Sequence, residues 1–68
     1  MSELETKQAQ VKKLSARATK LKMDLHDLAE DLPINWQQIP ELAQQAHDAY
    51  ARLEQARNEL QVLKTQAQ

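Results

Sequence analysis

Sixty-eight residues with no Gly, no Cys, no Phe and only two Pro make one domain at most, with neither a disulfide nor a thiolate metal site to support it. Ten Leu, ten Ala and ten Gln favour helix. The charged residues, 28% of the chain, nearly balance at a formal net charge of -1, which argues against a bulk nucleic-acid binder. No apolar run approaches the ~18 residues needed to span a membrane, and the first five residues lack the basic-then-apolar order of a signal peptide, so a cytoplasmic protein is expected. The absence of glycine removes phosphate-cradling loops and dinucleotide fingerprints. With two serines, two histidines and no cysteine, a nucleophilic triad has almost no candidates, and no enzyme is expected.

Ser2-x-x-Glu5 reads as a capping box at the start of a first helix. From there Leu4, Val11, Leu14, Ala18, Leu21, Leu25, Leu28 and Leu32 recur at steps of three and four after a first step of seven, a heptad seam broken only by Lys7. Pro33 disfavours the helical conformation at Leu32, so helix 1 is expected over about 3–31. A linker follows over 32–38. Asn35 with Gln38 competes as the start of helix 2, but Pro40 would then delete a backbone bond. The preferred reading puts Pro40 in the first helical turn and makes 36–38 a separate short turn, stapled at the corner by Trp36.

The second track, Ile39, Leu42, Ala46, Ala49, Leu53, Ala56, Leu60, Leu63 and Ala67, places helix 2 over about 39–66. Two long helices and a short linker imply an all-α, antiparallel two-helix hairpin. One seam between two helices, much of it alanine, buries too little apolar surface, so the hairpin is expected to dimerise into a four-helix bundle. Residues 7 to 22 carry Lys7, Lys12, Lys13, Arg17, Lys20 and Lys22 with no acid, whereas 24 to 31 carry only acids among their formal charges. This bipolar pattern favours antiparallel packing of the two copies in the homodimer.

Asp24, Asp27, Glu30 and Asp31 oppose the helix dipole at the end of helix 1, a local violation of the kind that marks a used surface. With His26 and Trp36 they form a candidate partner-binding corner. His26 and Glu30 sit one turn apart, the spacing at which an imidazole and a carboxylate share a divalent cation, and the hairpin brings His47 to a similar height. His26, Glu30 and His47 are therefore the candidate metal ligands. The basic run on helix 1 is the candidate RNA contact, weakened by the lack of interleaved aromatics.

The run Leu25-His26-Asp27-Leu28-Ala29-Glu30-Asp31-Leu32-Pro33, followed by Trp36, Ile39-Pro40, Leu42-Ala43 and Asp48-Ala49-Tyr50, resembles the small Rop-like family encoded within nitrogen-fixation gene clusters of bacteria. The resemblance spans nearly the whole chain. It implies a dimerising helical hairpin and a non-enzymatic accessory role in nitrogen fixation by contact with a protein partner, and it supplies no catalytic residue. The alternatives are a divalent-metal-binding accessory protein and a Rop-like RNA-binding hairpin. The name shared with a plasmid RNA-binding hairpin is an analogy of fold and transfers no RNA function.

Overall fold

The computed structural model describes residues 2–67, of which the first is Ser2. Its Oγ accepts a hydrogen bond from the Glu5 N–H at 3.1 Å and caps helix α1, Glu3–Asp31. Glu3 and Glu5 lie in the first turn, where the helix dipole favours negative charge. No Gly or Pro interrupts the next 29 residues. The helix stops because Leu32 turns to φ -55°, ψ 141°, the extended geometry that a following proline enforces.

The chain reverses over seven residues, 32–38. Ile34 N–H donates to the Asp31 carbonyl at 3.0 Å, and Gln38 N–H donates to the Asn35 carbonyl at 2.9 Å. Asn35 adopts the left-handed conformation at φ 61°, ψ 26°. In a chain without glycine, asparagine is the residue that tolerates this region at least cost. One 3-10 turn over Trp36–Gln38 leads into helix α2, Ile39–Ala67, whose first turn holds Pro40 where its missing N–H leaves no bond unmade. The result is an all-helical hairpin, with no strand among the described residues.

The two helices pack along the heptad seam. Its centre is Ala18, Leu21, Ala46, Ala49 and Leu53, with Val11, Leu14, Leu25 and Leu42 half-buried around it. The small alanines let the helices approach closely, and the leucines fill the layers between. Among the described residues, four of the seven buried apolar residues are alanines. The larger seam residues Leu4, Leu60 and Leu63 at the end of the rod opposite the corner keep part of their surface in water, as do Leu25 and Leu42 toward the corner.

That exposure has a measurable consequence. The hairpin is a rod of 52 × 15 × 14 Å with an accessible surface of 5501 Å². A compact chain of this mass would expose about 4,400 Å². The excess is roughly what one partner contributes to a protein–protein interface of ordinary size. No helix among the described residues is long and apolar enough to cross a membrane.

Lys7, the break in the seam, is 20% exposed, and its Nζ lies 3.3 Å from Glu59 Oε1 on the opposite helix. It also donates to Gln10 Oε1 at 3.0 Å. An ion pair this open to solvent contributes a few tenths of a kcal/mol, whereas burying most of a leucine at the same place returns about 1.5 kcal/mol. Lys7→Leu is therefore expected to raise stability by about 1 kcal/mol in urea denaturation at fixed protein concentration. A lowered midpoint would show that the Lys7–Glu59 pair, and not seam burial, governs this end of the hairpin.

Candidate functional site

Between Lys22 and Arg52 the chain contains no lysine or arginine and six carboxylates, so the corner half of the rod carries one sign of charge. The last turn of α1 holds no base, whereas that of α2 holds Lys64. Each carboxylate near the C-terminal end of α1 costs roughly 0.3–1 kcal/mol against the helix dipole. Helix stability gives no reason to keep them there.

The individual side chains divide into three groups. Asp24 is tied to its own helix, its Oδ2 receiving Lys20 Nζ at 3.1 Å. His26 stands between two carboxylates, with Nε2 3.4 Å from Glu30 Oε1 and Nδ1 3.8 Å from Asp27 Oδ1. Asp27 and Glu30 nonetheless keep about 70% of their side-chain surface exposed (71% and 68%). Asp31 is exposed beside the chain reversal. By heptad position Asp27 and Glu30 face outward from the seam, while Asp24 and Asp31 border it.

Trp36 is 58% exposed and Ile34 65% exposed. The corner-staple reading of Trp36 therefore needs correction. The short turn forms, but Leu32 leaves α1 in an extended conformation and no buried residue lies between Leu28 and Ala46, so the indole has no core to pack against. Ile34 escaped the sequence reading because it belongs to neither heptad track. A lone apolar residue between Pro33 and Asn35, with no seam to enter, was the available signal.

The candidate metal ligands are only partly brought together. His26 and Glu30 approach each other, but His47 turns to its neighbour, with Nδ1 3.5 Å from Asp48 Oδ1, and Gln44 Nε2 donates to the same oxygen at 2.9 Å. Among the described residues no group of three or more His, Asp or Glu is placed to hold a metal ion. What the corner presents is an open, carboxylate-bearing surface next to exposed apolar side chains. Such a surface suits recognition by a partner better than enclosure of a small molecule.

A family model described as Rop-like matches residues 2–65. The chain belongs to the Rop-like family. A "UPF0437 protein" of Azorhizobium caulinodans is 51% identical over 67 residues, spanning 98% of this chain and 97% of that protein. A relative in Frankia alni, described as a "UPF0437 protein in nifX-nifW intergenic region", is 52% identical over 46 residues, 68% of this chain and 56% of its own length. The Rop-like hairpin also matches a solution NMR structure of a small protein at 50% identity and a TM-score of 0.83, over 96% of this chain and 93% of that one.

Proposed function

We propose that this Rop-like hairpin is a non-enzymatic accessory protein of nitrogen fixation, working as a homodimer that meets a protein partner through its acidic corner. The observation that carries this reading is the corner itself. Six carboxylates and no lysine or arginine occupy residues 23–51, and Ile34 and Trp36 stand exposed beside Asp27, Glu30 and Asp31. An aromatic and an aliphatic side chain rimmed by charge is the composition of a protein-binding anchor. The process is drawn from the Frankia alni relative, whose description places it between two nitrogen-fixation genes. The homodimer is supported by the surface excess of the isolated rod and by its half-covered seam leucines.

The double substitution Asp27→Lys with Glu30→Lys tests the corner without touching the seam. Both side chains face outward, so folding and dimerisation should persist. In a nitrogen-fixing strain lacking its own UPF0437 protein, the unaltered chain is expected to restore growth on dinitrogen. The double variant, accumulating to the same level, should fail to do so. Equal complementation by both would remove the corner from the function.

A further inference from the structure

We infer that the partner met at the corner presents an arginine with an aliphatic side chain beside it, selected jointly by the exposed indole of Trp36 and the carboxylates around it. This rests on the corner being the meeting surface, as proposed above, and names the chemistry of what is met.

The corner end of the rod has apolar side chains but no core. No residue from 29 to 45 is buried, yet Leu32, Ile34, Trp36 and Ile39 are 41%, 65%, 58% and 39% exposed. Four large apolar side chains within eight consecutive residues stand in water at one end of the molecule. Large apolar side chains gathered in one place and rimmed by polar groups mark an interaction surface, whereas the same residues scattered singly need no explanation.

The charge around them has one sign and no answer within the hairpin. Between residues 25 and 47 the only Asp, Glu, Lys or Arg residues are Asp27, Glu30, Asp31 and Glu41. The first bases in either direction are Lys22 and Arg52. At a rise of 1.5 Å per residue they lie roughly 14 Å along α1 from Asp31 and roughly 17 Å along α2 from Glu41, beyond the Debye length of about 8 Å at physiological ionic strength. His26 borders Asp27 and Glu30 and leaves both largely exposed. Asp27, Glu30 and Glu41 occupy outer heptad positions, so a second copy laid over the seam leaves them in water.

Arginine answers both halves of this surface. Its guanidinium is planar and weakly hydrated, stacks on an indole face and donates in parallel to a carboxylate, whereas a lysine ammonium is a compact and strongly hydrated point charge. Asp31 and Glu41 stand five residues to either side of Trp36, so a cation drawn to the indole arrives among carboxylates. Charge steers and orients the partner. Covering Ile34 and its apolar neighbours with an aliphatic side chain holds it there.

The single tryptophan of the chain reports on the corner directly. The probes are three short dye-labelled peptides, combining leucine with arginine, with lysine or with glutamate and otherwise identical. Anisotropy of the labelled peptides titrated with the full chain is expected to show the arginine peptide bound about two- to five-fold more tightly than the lysine peptide, the size of one exposed cation–π contact. The glutamate peptide should not bind, and added salt should weaken the other two. Binding should move Trp36 emission to the blue. Trp36→Leu should retain binding but lose the preference for arginine, and Asp27→Lys with Glu30→Lys should weaken both cationic peptides about ten-fold. Binding of the glutamate peptide as tight as that of the arginine peptide would reduce the corner to an unselective apolar patch. Equal affinities for arginine and lysine would remove the indole from the recognition, and no binding of the arginine peptide at submillimolar concentration would remove the recognition itself. Trp36 emission already blue and shielded from acrylamide in the peptide-free chain would mean that a second copy fills the corner. Each of these four results overturns the inference. The complementation experiment is separate: if the peptides fail while the double lysine variant still cannot restore growth, the corner serves the proposed function by another chemistry.

Discussion

Leu53→Ala is expected to remove about 2–4 kcal/mol of stability, a large fraction of what a chain of this size possesses at roughly 0.05–0.15 kcal/mol per residue. Leu53 is 4% exposed and belongs to the central cluster with Ala18, Leu21, Ala46 and Ala49. Its neighbours are mostly alanines, which have no rotamers with which to move into the space left behind. The transfer loss and the cavity cost therefore add. Urea denaturation followed by far-ultraviolet circular dichroism at one protein concentration measures the change. A loss below about 1 kcal/mol, the cost of deleting little more than one buried methylene, would mean that the central cluster is not the stabilising core.

Ala18→Phe is expected to destabilise by about 1–3 kcal/mol although it adds apolar surface. Ala18 is 1% exposed, in a layer where the helices approach closely because the residues are small. A ring at this position fits only if the helices separate, which uncovers Leu21 and Leu53 next to it. The contrast with Lys7→Leu is instructive. Both substitutions enlarge the apolar content of one seam, yet the first overfills a closed layer and the second completes an open one. The same denaturation experiment compares them. A gain for Ala18→Phe would show that the alanine layers are loosely packed.

The hairpin was legible in the sequence because its signals are local and periodic. Steps of three and four from Val11 to Leu28, and again from Ile39 to Leu63, name the seam, and Pro33 and Pro40 punctuate the turn. Less legible were features set by what lies across the hairpin. Lys7 breaks the heptad, and only the fold shows that Glu59, 52 residues away, answers it. Asn35 takes up a left-handed conformation that no glycine was present to suggest. At the candidate site, the approach of His26 to Glu30 follows from their spacing on one helix. His47 pairs instead with its chain neighbour Asp48, because its outer heptad position turns it away from the seam. The exposure of Trp36 depends on where the chain leaves α1, which heptad arithmetic does not encode.

These features connect to function through a division of surfaces. The seam holds the hairpin, and the carboxylates Asp27 and Glu30 face outward, where the proposed function has them meet another protein. In the proposed function the acids that oppose the dipole of α1 have a use that the helix alone does not give them.

Everything in this division depends on the hairpin being half of an assembly. Sedimentation equilibrium of the purified chain at micromolar concentration tests this most directly. The account predicts a single folded species of twice the 7.8 kDa chain mass, with a melting temperature that rises with protein concentration, as mass action requires when folding and association are linked. A folded species of single-chain mass, with a melting temperature independent of concentration, would contradict it.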